Sequence, residues 1–387
     1  MVLIDKDTNV NQEEWHLTAA QAGQASDPAW SIRKYRLHGG RQEGVEVIDV
    51  DNGVLKLRIV PTRGMGIWSA TAGDVQLKWD SPVKEIVHPH YVNLEARGGL
   101  GWLEGFGEFM CRCGMEFNGA PGEDTIINNF GQETKTMLTL HGKAAYLPAT
   151  HVRVVVDPDP PHTIRVFGTV EETMMFGPKL VLETQISTVP GSKEFTIKDK
   201  ITNRAGTKSE MQMLYHSNYG SPLLAEGSRF VGPVTEVAPR DARAAEGGVE
   251  NYADCSGPRE NYAEQVYFVK VKGDDDGQTL VMLRNQDAGR SATIRYNVAE
   301  LPYLTIWKNT TTERDGYATG IEPGTNYPNN RSVERAKGRL PVLGPGESRV
   351  FTLTYGVQTT PDEVAAALAE IHRIQGDSQP VIKQEPE

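Results

Sequence analysis

Short runs of alternating apolar and polar residues follow one another along most of the chain, and glycine or proline residues separate them. The runs are rich in β-branched residues, and this pattern is typical of strands joined by turns. The runs that predict strands most clearly are 45–50, 54–60, 163–170, 180–188, 194–201, 263–271, 278–283, 291–296 and 349–355. Because long segments with a 3.6-residue period are nearly absent, we predict an all-β fold.

One segment near the carboxyl end has the period of a helix. Residues 361–374 begin with proline, carry acidic residues in the first turn, and place Val364, Leu368 and Ile371 on one face. These features predict a single amphipathic helix.

The predicted elements form a large antiparallel β-sandwich (a supersandwich) with one C-terminal helix. We expect an N-terminal arm over 1–30, the sandwich domain over 31–360, and the helix with a disordered tail over 361–387. No linker divides the middle of the chain.

Charge and hydropathy exclude several classes of protein. The 387 residues include 40 Lys and Arg against 51 Asp and Glu, so the formal net charge is −11. An acidic chain without a Lys/Arg run does not suit a nucleic-acid backbone. No apolar run reaches the ~18–20 residues of a transmembrane helix, and polar residues stand where a signal peptide would be apolar. We expect a cytoplasmic protein without nucleic-acid or membrane partners, and its oligomeric state is open.

Potential metal ligands are few. The three cysteines, Cys111, Cys113 and Cys255, form neither a disulfide framework nor a CxxC pair. His88 and His90 are two positions apart and could share a metal ion, but no acid lies at an obvious spacing for a third ligand. We therefore expect no metal and no cofactor.

Four segments carry groups suited to a ligand-binding cleft. The first two supply an arginine and a histidine. Segment 99–121 is dense in glycine, aromatic and charged residues, and the planar guanidinium of Arg112 suits hydroxyl or carboxylate recognition. Segment 138–148 places His141 after an apolar alternation and before Gly142, at the predicted end of a strand.

The other two segments add an imidazole and a carboxylate. In segment 211–224, His216 lies between two tyrosines. In segment 303–331, Glu322 has apolar flanks and no neighbouring acid, a setting that raises the pKa of a carboxyl group toward the range of a base. Two histidines, one carboxylate and one arginine on separate strand ends are what a cleft in a β-fold requires, but spacing alone does not bring them together.

The sequence resembles the galactose mutarotase-like superfamily, which includes the aldose 1-epimerases, and within it the domain-of-unknown-function 4432 group. The resemblance runs from about residue 44 to residue 356. The segments that carry it are PTRGMGIWSA (61–70), CRCGMEFNGAP (111–121), LHGKAAYLPA (140–149) and GIEPGTNYPNNR (320–331).

The resemblance assigns residues through the order of the family's motifs. The LHGK segment is similar to a Leu-His-Gly-Gly motif and points to His141. A second such motif at 37–40, with His38, precedes the arginine-bearing segment and is rejected. LYHSNYG points to His216, GIEPGTNYPNN points to Glu322, and the arginine before the histidine motif points to Arg112.

The resemblance implies a sugar-binding isomerase of the aldose 1-epimerase type. Glu322 would take the proton of the anomeric hydroxyl while His216 protonates the ring oxygen, and the roles would reverse when the ring closes. The side chains expected to bind the sugar are His141, Arg112, Lys143, Tyr219, Trp307 and Asn326.

Two alternatives stay open. The same histidine and carboxylate could abstract a carbon-bound proton, which gives an epimerase or an eliminating lyase on an oxidised or modified sugar. The departures from the family pattern at Lys143 and Gly220 favour this alternative. A non-catalytic carbohydrate-binding protein would use the same aromatic residues.

Overall fold

The computed structural model describes residues 1–24 and 27–386, and strands dominate them. In chain order the strands are β1 (Val2–Asp5), β2 (Val10–Asn11), β3 (Trp15–Thr18), β4 (Ser31–Arg36), β5 (Glu46–Asp51), β6 (Leu55–Val60), β7 (Gly66–Ala72), β8 (Val75–Leu77), β9 (Met110–Met115), β10 (Gly122–Ile127), β11 (Glu133–Leu138), β12 (His151–Val156), β13 (Ile164–Thr173), β14 (Lys179–Thr188), β15 (Glu194–Asn203), β16 (Ser209–Glu210), β17 (Gln212–Tyr219), β18 (Arg229–Val231), β19 (Val234–Pro239), β20 (Gln265–Val271), β21 (Gln278–Arg284), β22 (Ser291–Asn297), β23 (Tyr303–Asn309), β24 (Ala318–Gly324), β25 (Val342–Leu343), β26 (Ser348–Gln358) and β27 (Val381–Ile382).

Helices are short apart from the last one. The α-helices are α1 (Ala96–Gly99), α2 (Ala242–Ala245), α3 (Arg331–Ala336) and α4 (Pro361–Gln375). The 3-10 turns are Gly40–Gln42, Pro61–Arg63, Pro89–Tyr91, Gly101–Gly105, Ala144–Tyr146, Val249–Ala253 and Glu313–Asp315. Among the described residues no helix combines the length and the apolar composition needed to cross a membrane.

Two large sheets pack face to face and enclose the main hydrophobic core. The first sheet has the order β18-β21-β22-β26-β15-β14-β13-β12-β1-β2. The second has the order β27-β19-β20-β23-β24-β17-β9-β7-β6-β5-β4-β3, with β8 paired to β7. The hairpin β10–β11 and the pair β16–β25 form two small separate sheets.

The predicted architecture is confirmed, and the helix is present where its pattern placed it. Thr360 caps the amino end of α4 by accepting the backbone N–H of Glu363. On the buried face of α4, Val364 and Ile371 pack with Met282 of β21. Burial of this apolar face, more than helix propensity, stabilises a helix of this length.

The chain termini differ from the prediction. The segment expected to be a separate N-terminal arm supplies β1 and β2 to the first sheet and β3 to the second. The tail expected to be disordered forms β27, which pairs in parallel with β19. Residues 25, 26 and 387, which fall in these two predicted regions, lie outside the described residues.

A buried ion pair joins the two sheets. Arg112 of β9 donates from Nε to Asp199 Oδ2 at 2.6 Å and from Nη2 to Asp199 Oδ1 at 3.0 Å, and Asp199 belongs to β15 of the first sheet. Tyr215 of β17 donates its hydroxyl to the same carboxylate at 2.9 Å. The guanidinium also donates to the backbone carbonyls of Gly64 and Met65. Every charge in this contact therefore has a partner, as burial requires.

Replacing Arg112 by alanine is expected to destabilise the fold, because it leaves the Asp199 carboxylate buried without its counter-ion. Breaking a buried ion pair by removing one partner costs roughly 3–5 kcal/mol. Urea unfolding measures this loss. Arg290→Ala, which removes the exposed ion pair with Asp74, is the control and should cost much less. Equal stability of the Arg112 variant and the wild type would contradict the structural role of Arg112.

Candidate active site

A histidine and a glutamate face each other on two central strands of the second sheet. Ser217 of β17 pairs with Ile321 of β24, so the antiparallel register places His216 opposite Glu322. His216 Nε2 lies 3.3 Å from Glu322 Oε1. Both side chains are buried on the face of the sheet that points away from the sandwich core, and Cys111 of β9 flanks His216 on its other side.

Burial favours the uncharged form of each partner. It raises the pKa of Glu322 well above its usual value, and the nearby Glu264 carboxylate raises that pKa further. It lowers the pKa of His216 well below its usual value, and neighbouring His141 acts in the same direction. Both shifts favour the uncharged pair, in which Glu322 carries a proton and the His216 ring is neutral.

A second imidazole lies beside this pair. The rings of His141 and His216 meet edge to face with centroids 5.3 Å apart. His141 has a positive φ of 57°. Two backbone hydrogen bonds hold this conformation: the His141 N–H donates to the Gly119 carbonyl, and the His141 carbonyl accepts the Gly114 N–H. Histidine is among the residues that tolerate this backbone region. Burial lowers the pKa of His141 to about 4, so this ring is neutral at neutral pH.

Aromatic side chains form the walls of the site. Trp102 lies 4.8 Å from His141, and Phe106 and Trp307 lie 5.3 Å and 5.6 Å from His216, all between ring centroids. Trp307 and His141 are only half-buried, whereas Trp102 is buried, so the site opens on the side of Trp307 and His141. Aromatic faces are suited to pack against the C–H surface of a sugar.

An ion pair lies at this opening. Trp307 donates its indole N–H to Glu264 Oε2 at 2.8 Å, and Arg240 Nη2 lies 3.0 Å from Glu264 Oε1. Glu264 also raises the pKa of both Glu322 and His141, so its carboxylate is close to both. It offers hydrogen-bond acceptors at the entrance to the site.

Several buried polar atoms of the site have no hydrogen-bond partner in the protein. They are Glu322 Oε1, His216 Nδ1, Trp102 Nε1 and Thr305 Oγ1. Thr305 pairs with Glu322 across β23 and β24. Unpaired buried polar atoms are costly and are uncommon in folded proteins. Their concentration around one carboxyl group makes this cluster a candidate site for a polar ligand.

Comparison with known proteins identifies the family. The model of the family described as "Domain of unknown function (DUF4432)" matches residues 42–357. The chain belongs to the DUF4432 family. A search of curated proteins finds no match.

Solved structures place this DUF4432 protein among galactose mutarotase-like folds. A structure from Klebsiella pneumoniae subsp. pneumoniae MGH 78578, named as a candidate aldose 1-epimerase, is 37% identical, covers 100% of this chain and 98% of its own, and has a TM-score of 0.94. A galactose mutarotase-like protein from Clostridium acetobutylicum is 15% identical over 84% of this chain and 98% of its own, with a TM-score of 0.58. A galactose 1-epimerase from Lactobacillus acidophilus NCFM is 12% identical over 84% and 98%, with a TM-score of 0.51. The last two similarities concern the fold alone.

The structure brings four of the eight residues singled out from the sequence into one place. These are His141, His216, Trp307 and Glu322. Arg112 and Tyr219 point to the opposite face of the second sheet. Arg112 pairs with Asp199, as described above, and Tyr219 is buried in the core against Phe109, with ring centroids 5.4 Å apart. Their assignment as sugar-binding residues is therefore corrected to a structural role.

The two remaining residues, Lys143 and Asn326, differ in their surroundings. Lys143 lies close enough to the buried Glu172 carboxyl group to lower its pKa. Asn326 is fully buried, and its side-chain amide is occupied by bonds within the protein. Asn326 is therefore not available to a sugar, whereas Lys143 stays a predicted sugar-binding residue.

The histidines set aside in the sequence lie elsewhere. His38 of the second Leu-His-Gly-Gly motif is exposed and pairs with Glu43 at 3.0 Å. His88 and His90 have ring centroids 6.5 Å apart, and His88 Nδ1 accepts the backbone N–H of His90. Within residues 1–24 and 27–386, three potential metal ligands come together at Asp5, Asp7 and His151, on the first sheet.

Sequence reasoning missed Glu264, Arg240 and Phe106. Phe106 lies in the aromatic segment 99–121, where its composition gave a signal. Glu264 and Arg240 gave none, because they reach the site only through the pairing of β19, β20 and β23, which brings two distant chain segments beside Trp307.

Replacing Glu322 by glutamine is expected to stabilise the fold increasingly as pH rises. Burial raises the pKa of Glu322 in the folded protein above its ordinary value of 4.5, so the folded state keeps a proton that the unfolded chain releases. This proton contributes fully to the stability of the wild type below pH 4.5, the ordinary pKa of a glutamate. The contribution is lost as the pH rises through the raised pKa that Glu322 has in the folded protein. Because glutamine does not titrate, the unfolding free energy of the variant minus that of the wild type should grow with pH above about 4.5.

Urea unfolding at a series of pH values measures this difference. Glu313→Gln, at an exposed glutamate, provides the matched control. A difference for Glu322→Gln that stays constant from pH 4 to pH 9 would contradict the raised pKa of the buried carboxyl group.

Proposed function

We propose that this DUF4432 protein is a carbohydrate-active isomerase that interconverts the anomers of a sugar, as an aldose 1-epimerase does. The observation that carries the proposal is the buried pair in which His216 Nε2 lies 3.3 Å from Glu322 Oε1, with a second imidazole beside it. The 37% identity to a structure named as a candidate aldose 1-epimerase supports the same activity.

Opening a cyclic sugar requires two proton transfers. One group removes the proton of the anomeric hydroxyl, and another donates a proton to the ring oxygen while the bond between that oxygen and the anomeric carbon breaks. A carbonyl group forms at the anomeric carbon. After rotation about the adjacent carbon–carbon bond, the reverse transfers close the ring with the other anomeric configuration.

The pair supplies both transfers without a net change in its own protons. When the Glu322 proton passes to His216, the imidazolium protonates the ring oxygen and the Glu322 carboxylate accepts the hydroxyl proton. The pair then holds one proton again, now on Glu322. Its opposing pKa shifts, both caused mainly by burial, favour this uncharged form with the proton on Glu322.

The neighbouring groups are suited to hold the sugar through both steps. His141 and Glu264 offer acceptors for sugar hydroxyls, and Trp307 and Trp102 offer ring faces to the C–H surface. The site has to keep the open-chain sugar bound between the two steps. If the aldehyde were released after ring opening, the ring would close in solution without the help of the pair.

Replacing Glu322 or His216 by glutamine is expected to reduce the rate of anomer interconversion by roughly 10²–10⁴-fold, the usual contribution of general acid–base catalysis. Polarimetry or NMR over a panel of monosaccharides, corrected for spontaneous mutarotation, measures the rate. The exposed residues Glu313 and His38, each changed to glutamine, provide matched controls that should retain full activity.

The products separate this proposal from its alternatives. Mutarotation preserves the mass and connectivity of the sugar, whereas elimination on an oxidised sugar breaks a carbon–oxygen bond and is seen by mass spectrometry. A sugar that binds equally well to wild type and Glu322→Gln, with no turnover of any sugar by either protein, would indicate a carbohydrate-binding protein and overturn the proposal.

A larger side chain at Gly320 would test independently whether the position of the Glu322 carboxylate matters to the reaction. A Cβ at this position would lie 2.3 Å from Glu322 Oε1 and 3.3 Å from the Cβ of Trp307. Gly320→Ala therefore displaces the carboxylate without removing it, and we expect a loss of activity approaching that of Glu322→Gln.

Gly206→Ala is the matched control, because a Cβ there meets no atom within 4 Å. Full activity of Gly320→Ala, with an unchanged unfolding midpoint, would show that the position of the carboxylate does not matter to the reaction.

A further inference from the structure

Two buried asparagines form a reciprocal amide pair beneath the site. Asn118 Nδ2 donates to Asn326 Oδ1 at 3.1 Å, and Asn326 Nδ2 donates to Asn118 Oδ1 at 2.9 Å. Both side chains are fully buried. Asn118 follows β9, and Asn326 lies four positions after Glu322, so the pair joins the segments on either side of β17.

The remaining hydrogen-bonding capacity of Asn326 is also used. Its Nδ2 donates to the Tyr327 carbonyl at 2.7 Å, and its Oδ1 accepts the hydroxyl of Thr325 at 2.9 Å. An amide with two donors and one acceptor oxygen engaged in this way is held in one orientation. Asn326 therefore has no donor left for a sugar, and its effect on the site acts through Asn118.

The backbone of Asn118 is held at both ends. Its N–H donates to Gln212 Oε1 at 3.3 Å, and its carbonyl lies 2.8 Å from His141 Nδ1. A carbonyl oxygen can only accept a hydrogen bond, so His141 Nδ1 must carry the proton. The ring is neutral at neutral pH, as established above, and a neutral imidazole has a single N–H. His141 Nε2, on the side of the ring away from Asn118, is then an acceptor only.

We infer that the backbone carbonyl of Asn118 fixes His141 as the Nδ1–H tautomer, so that Nε2 faces the ligand as a pure hydrogen-bond acceptor, and that the Asn118–Asn326 side-chain pair positions this carbonyl. This assignment rests on the proposed function for the identity of the ligand as a sugar. It separates the two imidazoles: His141 accepts a sugar hydroxyl through Nε2, which carries no proton to give to the ring oxygen.

The tautomer can be measured directly in the wild-type protein. Long-range proton–nitrogen correlation spectra of protein labelled with ¹⁵N-histidine distinguish a protonated from an unprotonated ring nitrogen, and the signals of His141 are those lost in His141→Gln. We expect protonated Nδ1 and unprotonated Nε2 at pH 7. Protonated Nε2, or an imidazolium, would overturn the inference without any assay of activity.

Asn326→Asp tests the positioning role while preserving side-chain size. It removes the amide that donates to Asn118 Oδ1. The backbone carbonyl of Asn118, which contacts His141 Nδ1, is then held less firmly. We expect the His141 signals to report a mixture of tautomers, and we expect KM for the sugar to rise roughly tenfold with a smaller change in kcat, as for the loss of one oriented hydrogen bond. The signals of His216 should stay unchanged.

Asn129→Asp introduces the same change at an exposed asparagine and should alter neither readout. Unchanged His141 signals in a folded Asn326→Asp protein would show that the pair does not set the tautomer. If the wild-type spectrum shows Nδ1–H but no sugar is turned over, the proposed function fails while this assignment stands. If sugars are turned over and Nε2 carries the proton, the assignment alone fails.

Discussion

Side chains alternate strictly between the two faces of the central strands of the second sheet, and this alternation determines whether each one faces the sandwich core or the candidate site. Along β17, Tyr215, Ser217 and Tyr219 face the sandwich core, so His216 faces the other way. The same parity sends Arg112 into the core and leaves Cys111 beside His216. The buried ion pair between the sheets, Arg112 with Asp199, therefore uses β9, and the opposite face of that strand lies beside His216.

The site uses burial as its main electrostatic device. Removing a carboxyl group and an imidazole from water raises the pKa of the carboxyl group and lowers the pKa of the imidazole, so burial favours the uncharged form of both. The aromatic walls that exclude water also supply binding surface. Burying Glu322 away from water costs folding free energy. Natural proteins commonly give up stability in this way at functional sites.

Much of the fold could be predicted from residue patterns alone. The runs at 180–188 and 194–201 lie within β14 and β15, and the helical period of 361–374 corresponds to α4. The termini were predicted less well, because the short strands β1 and β27 are held by their partners in the sheets. For the site, the order of motifs identified His141, His216 and Glu322, but order carries no information on which face of a strand a side chain occupies. Arg112 was misassigned for that reason, and Glu264 was missed because only strand pairing brings it to the site.

The pairing of β27 with β19 has a consequence for the whole second sheet. β19 ends at Pro239, directly before Arg240, and its outer edge is covered by Val381 and Ile382. Exposed strand edges recruit further strands from other molecules. The carboxyl-terminal residues thus cover part of a strand edge that would otherwise be open to pairing, next to the Arg240–Glu264 ion pair of the candidate site.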